Sequence, residues 1–129
     1  MVKTAIILAG GLGTRLREVV SHLPKPMVLI NNRPFLEYQL DFWIEQGITR
    51  FILSVGYLKE SIINHFGRNY HGAAIDYVEE SEPLGTGGGL LLAANDLDEV
   101  FLVLNGDTYI EVDLENFYKY FFIPTYVEM

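Results

Sequence analysis

Apolar residues along this chain fall into two alternating patterns. The run Thr4-Ala-Ile-Ile-Leu-Ala9 is short, continuous and apolar, which predicts a strand buried on both faces of a parallel sheet. From Pro34 to Gln46, Leu36, Leu40, Trp43 and Ile44 recur at helical spacing and Gly47 follows as a stop, so a helix is predicted there. Arg50 to Val55 repeats the strand pattern, and Leu58, Ile62, Ile63 and Phe66 restore the helical one up to Gly67. A third strand fits Ala74 to Glu79, a turn fits Ser81 to Gly85, and a helix starting in the glycine run carries Leu90, Leu91 and Ala94. Val100 to Leu104 is the fourth strand; a final helix through Leu114, Phe117, Tyr118 and Phe121 would be broken by Pro124.

Strands alternating with helices predict an α/β chain with a mainly parallel sheet and helices on both faces, a Rossmann-like three-layer sandwich. Ligands of such sheets bind at the carboxyl ends of the strands. The loops at Gly10 to Gly13, Glu80 to Gly85 and Asn105 to Asp107 all follow strands on that edge. Length predicts one domain, with no internal repeat or linker. Residues 121–129 stand apart as an atypical, aromatic tail.

Composition narrows the classes. The absence of Cys excludes disulfides and thiolate metal sites. With no signal peptide and no apolar run long enough to cross a bilayer, the sequence reads as cytoplasmic, without a membrane partner. A net charge of −8 makes the surface repel nucleic acid. A phosphate ligand must then be held by a local site, which gives weight to Arg15 and Lys25 beside the glycines. His22, His65 and His71 have no metal-ligand spacing among them.

A glycine cluster directly after an apolar strand lets backbone N–H groups close around a phosphate. Gly11-Leu-Gly13 begins like a dinucleotide fingerprint, but Leu16 stands where the third glycine belongs and no acidic residue ends the next strand. The Walker pattern is also missing, since no Gly-Lys-Ser/Thr occurs. What remains is a glycine loop with Thr14, Arg15 and a more distant Lys25 fixed between two prolines.

The motifs Gly10-Gly11-Leu12-Gly13-Thr14-Arg15-Leu16, Pro24-Lys25-Pro26-Met27, Pro83-Leu84-Gly85-Thr86 and Asn105-Gly106-Asp107 follow in order and carry a resemblance that covers residues 3 to about 118. In them the chain resembles the sugar-1-phosphate nucleotidyltransferases, also called nucleotide-sugar pyrophosphorylases, and within them the mannose- or heptose-1-phosphate guanylyltransferases. The resemblance implies a GT-A-like fold, with residues 1–120 forming its nucleotide-binding part. It also implies a reaction in which NTP and sugar 1-phosphate give NDP-sugar and pyrophosphate, with protein groups aligning phosphates and neutralising charge.

On that resemblance Arg15 and Lys25 are the catalytic candidates. Arg15 would grip the β- and γ-phosphates, and Lys25 would meet the α-phosphate or the sugar phosphate. The nucleotide-binding set is Leu8, Ala9, Gly10, Gly11, Gly13, Thr14, Glu80, Gly85 and Thr86, and Asp107 is the Mg²⁺ ligand. Glu80 takes the base-reading position; one carboxylate can accept both N1–H and N2–H₂ of guanine, so GTP is favoured. The bland alternatives are an acidic turn for Glu79, Glu80 and Glu82 and an Asx turn for Asn105-Gly106-Asp107.

Nothing after Asp107 matches the family's second metal-binding aspartate or its sugar-phosphate segment. The chain therefore reads as a shortened nucleotidyltransferase that holds nucleotide and Mg²⁺, with sugar 1-phosphate as the second substrate. An alternative is a non-catalytic nucleotide-binding or assembly partner. An unpaired sheet edge and an apolar tail predict self-association into a homo-oligomer.

Overall fold

In the computed structural model the described residues are 2–9, 23–56, 58–79, 94, 100–106 and 113–116. The first apolar run forms strand β1 (Thr4–Leu8) at the heart of a sheet. Arg50–Val55 forms β4 and Ala73–Glu79 forms β6, and Leu102–Asn105 forms β7. Three two-residue strands complete the set: β2 (Leu29–Ile30), β3 (Arg33–Pro34) and β5 (Asn69–Tyr70). Among the described residues the main sheet has five strands in the order β5-β6-β4-β1-β7. β4, β1 and β7 run parallel, as do β4 and β6, while β5 pairs antiparallel with β6. β2 and β3 form a separate antiparallel hairpin.

Continuous apolar strands are needed because both faces of β1 and β4 are covered. Ala5, Ile7, Phe51, Leu53 and Val55 point into the larger core, while Ile6 and Ile52 point into a smaller one on the opposite face. The larger core is closed by helix α1 (Phe35–Glu45) and helix α2 (Lys59–Phe66). Both described helices thus lie on one face. On the other, Ala94 packs against Ile6 and Ile52, and the rest of the helix expected around Leu90 and Leu91 lies outside the described residues.

α1 begins where the hairpin turns the chain inward, and its Phe35 N–H donates to Val28 O at 2.9 Å. Its buried stripe is Leu36, Gln39, Leu40 and Trp43, the spacing of one helix face. It ends in a Schellman motif: Gly47 N–H donates to Ile44 O at 3.0 Å and Ile48 N–H to Trp43 O at 3.0 Å. Gly47 sits at φ 102°, where a side chain would be strained.

Helix and strand boundaries fall within two residues of those expected. The fourth strand differs most, running over Leu102–Asn105 rather than from Val100 to Leu104, because its ladder with β1 starts at Ala5–Leu102 and continues to Leu8–Asn105. The short hairpins were not foreseen. Asn31 (φ 52°) with Asn32 (φ 65°), and His71 (φ 48°) with Gly72 (φ 88°), both adopt successive left-handed conformations, the geometry that closes two-residue hairpins. At the far end only a helical turn at 114–116 is described, with Asn116 N–H donating to Asp113 Oδ1 at 3.3 Å. The boundary expected at residue 120, and the tail at 121–129, lie outside the described residues.

Candidate functional site

Parallel pairing brings the carboxyl ends of β1, β4, β6 and β7 to one edge. Leu8 lies opposite Ser54 and Asn105, and Val55 opposite Glu79. At this edge Ala9 is 3% exposed and its N–H donates to Ser54 O at 2.8 Å. β1 is therefore held rigid up to the residue from which the glycine loop departs.

Gly106 is where three motifs meet. Its N–H donates to Leu8 O at 3.0 Å. A Cβ on Gly106 would lie 2.8 Å from that same oxygen, 3.2 Å from Ala9 Cα and 3.3 Å from Pro26 Cγ. The end of β1, the Pro-Lys-Pro turn and the Asn-Gly-Asp motif thus close on one point that only glycine fits.

Lys25 opens a 3-10 turn, Lys25–Met27, that follows extended Pro24 (φ −70°, ψ 155°). Pro26 and Met27 are buried under it, so the turn is anchored by its apolar members. Lys25 O accepts from Val28 N–H at 3.2 Å. Of the site residues expected from sequence, Leu8, Ala9 and Lys25 are brought to this edge. Gly10, Gly11, Gly13, Thr14, Arg15, Glu80, Gly85, Thr86 and Asp107 lie outside the described residues.

Two features of this edge escaped the sequence reading. Gln39, 2% exposed, donates its Nε2–H to Asn105 O at 3.0 Å. The signal for it was present: a glutamine sits among Leu36, Leu40 and Trp43 on the apolar stripe, and a buried amide needs a partner. At the end of β6, Lys59 Nζ donates to Glu79 Oε2 at 2.8 Å. The Glu79 carboxylate raises the Lys59 ammonium above its ordinary pKa, and so occupies the acidic residue directly before Glu80.

A second polar cluster lies away from this edge. Arg33 donates to Glu37 Oε1 at 2.9 Å and also to Asp41, and its guanidinium lies 4.6 Å from the Tyr38 ring centroid. Tyr70 Oη donates to Asp41 Oδ1 at 2.8 Å, and His65 Nε2 meets Glu37 Oε2. Burial opposes the charge on Glu37, but the hydrogen bonds from His65 and Arg33 hold its carboxyl below the usual range. Burial, then the bond to Asp41, pushes the Tyr70 phenol well above its ordinary value.

Among the described residues no group of three or more His, Cys, Asp or Glu side chains could hold a metal ion. Asp107, the Mg²⁺ ligand expected from the sequence, follows Gly106 and lies outside the described residues; a carboxylate is the hard oxygen donor that such a cation takes. Among the described residues no helix is long and apolar enough to cross a membrane.

Residues 4–122 match the family model described as nucleotidyl transferase, a family that generally uses a divalent metal. The chain is 51% identical over 116 residues to D-glycero-alpha-D-manno-heptose 1-phosphate guanylyltransferase of Aneurinibacillus thermoaerophilus, covering 89% of this chain and 50% of the relative. It is 46% identical over 110 residues to the enzyme of the same name from Campylobacter jejuni, covering 85% and 50%. The crystal structure of HddC from Yersinia pseudotuberculosis complexed with GMP-PN superposes with a TM-score of 0.84 at 41% identity, covering 93% of this chain and 54% of that one. The chain spans about half the length of these curated relatives.

Proposed function

Because this chain belongs to the nucleotidyl transferase family, we propose that it provides the nucleotide-binding half of a sugar-1-phosphate guanylyltransferase, using GTP and a heptose or mannose 1-phosphate. The observation that carries this is the meeting at Gly106 of the β1 end, the Lys25 turn and the Asn-Gly-Asp motif. Three motifs far apart in sequence share one point on the edge where α/β sheets bind ligands. The names of the guanylyltransferase relatives and the GMP-PN complex support guanine as the base.

In this reading a sugar-phosphate oxygen attacks the α-phosphorus of GTP, the bond from that phosphorus to the bridging oxygen breaks, and pyrophosphate departs with the electron pair. Backbone N–H groups of the glycine loop, starting from the fixed Ala9, hold phosphate oxygens, and Thr14 adds a hydroxyl. Arg15 neutralises the leaving pyrophosphate and Lys25 the α-phosphate or sugar phosphate. Glu80 reads the guanine edge, Gly85 and Thr86 lie against base and ribose, and Asp107 binds Mg²⁺, which supplies charge neutralisation at the phosphates. The reaction would be cytoplasmic.

The test is pyrophosphate release from the pure chain with Mg²⁺, each of the four NTPs, and mannose, glucose and heptose 1-phosphates. Release with GTP that disappears in Asp107→Ala is the expected result for a complete site. GTP binding without release is the result for a chain that holds only the nucleotide. Absence of GTP binding, with no effect of Arg15→Ala, overturns the proposal. A second reading, assembly through the sheet edge into a homo-oligomer, is favoured by one observation: β7 ends the described sheet order and Val103 on it is 39% exposed. A monomeric mass in solution contradicts it.

A further inference from the structure

One helix holds both ends of the segment that carries Asp107. Gln39 on α1 donates to Asn105 O at 3.0 Å, and Gln46, the C-cap of the same helix two turns on, accepts Leu114 N–H at Oε1 at 2.9 Å. Leu114 is 1% exposed, so this second end is also anchored in the core. The Gln39 bond has a particular geometry. Asn105 C=O and Gly106 N–H belong to one planar peptide unit. The oxygen of that unit is held by Gln39 and its nitrogen by Leu8 O at 3.0 Å, and a Cβ added to Gly106 would be crowded by Leu8 O, Ala9 and Pro26. A plane fixed at both polar ends has no freedom to rotate, and its orientation sets the direction in which the chain leaves β7.

We infer that Gln39 is a positioning residue for the Asn-Gly-Asp motif, pinning the Asn105–Gly106 peptide that precedes Asp107 in sequence, and that Gln46 holds Leu114, further along the same segment. This rests on the reading of Asp107 as the Mg²⁺ ligand. An amide on the apolar face of α1 has no packing advantage over leucine or methionine. Burying it is costly unless its polar atoms are matched, and here one is matched by the last carbonyl of β7, directly before Gly106. Sequence distance conceals the link, since the two residues are 66 positions apart.

The test compares the parent chain with Gln39→Met, which keeps length and flexibility but removes the donor. Hydrogen exchange on the ligand-free chain should show a protected Gly106 amide in the parent and an exchange about 10-fold faster in Gln39→Met. Calorimetry with GTP should show the half-saturating Mg²⁺ concentration rising about 10-fold, while GTP affinity in EDTA stays within about 2-fold, a split that general loosening of the fold would not produce. Gln46→Met should move the Mg²⁺ requirement less. If Gln39→Met leaves that requirement unchanged while Asp107→Ala raises it, this inference fails and the reading of the site stands. If Asp107→Ala also leaves it unchanged, or GTP does not bind, the reading fails and takes the inference with it. A Gly106 amide in the parent that exchanges like an unstructured peptide overturns the pinned geometry whatever the variants do.

Discussion

Where β1 and β7 end, the fold is held by uncharged groups: Leu8 O on Gly106 N–H, Ser54 O on Ala9 N–H, and the Gln39 amide on Asn105 O. Between α1, α2 and the β5–β6 hairpin, the same chain uses charge instead, with Arg33 on Glu37 and Asp41, His65 on Glu37, and Tyr70 on Asp41. The polar seam joins four segments by closing opposite charges on one another. Among the described residues, the bonds that tie the end of β1 to the end of β7 run between uncharged groups, and the Lys59–Glu79 ion pair stands at the end of β6.

The energetics of the two regions differ as well. Side chains in the seam are partly open to water, 41% for Arg33 and 32% for Asp41, so solvent screens each ion pair there and its contribution is small. At the edge a single misplaced methyl meets backbone that cannot move aside.

The sharpest way to break the comparison is Gly106→Ala. The added Cβ has backbone at 2.8 and 3.2 Å. The substitution should destabilise by about 2–3 kcal/mol, read as a lower urea midpoint at unchanged slope, and it should abolish GTP binding. Arg15→Ala comes next, lowering GTP affinity about 10- to 100-fold, as expected for loss of a charge-assisted hydrogen bond. Its melting curve should stay close to that of the parent; a large loss of stability would mean that Arg15 serves the scaffold. Glu37→Gln should do the opposite, costing about 1 kcal/mol in chemical denaturation with GTP affinity unchanged.

The seam also makes a prediction in pH. Glu37 has a folded-state pKa below its ordinary 4.5, so the stability it contributes is present above that value and is lost as pH falls through the lower, folded one. Denaturation at a series of acid pH values should show less acid destabilisation in Glu37→Gln, by less than about 1 kcal/mol because its partners are half-exposed. An unchanged acid limb would show that the Glu37 contacts do not form in solution. The smallest effect is expected for Lys59→Met, a melting curve close to that of the parent because the pair is open to solvent, with a change in base preference only if freeing Glu79 disturbs Glu80.

The two regions were unequally visible in the sequence. β1 and β4 could be read because burial on both faces demands unbroken apolar runs, and α1 because Leu36, Leu40 and Trp43 keep its period to the Gly47 stop. Loop motifs marked the edge because glycine and proline restrict or release the backbone locally. The seam left no such mark. Arg33, Glu37 and Asp41 belong to no motif, and only the fold brings His65 and Tyr70 to them. The Gln39–Asn105 bond was hidden for the same reason, as a long-range pairing. Asn31-Asn32 and His71-Gly72 lacked long flanking strands, so the turns they form had no pattern to announce them.

The most direct test of the central claim, that the β1–β7 edge is a nucleoside triphosphate site, is a backbone amide NMR titration of the 129-residue chain with GTP and Mg²⁺. The account predicts that shift changes centre on Leu8, Ala9 and Gly106 and leave Glu37, Asp41 and His65 in place. Changes centred on the seam, or none at saturating GTP, would contradict it.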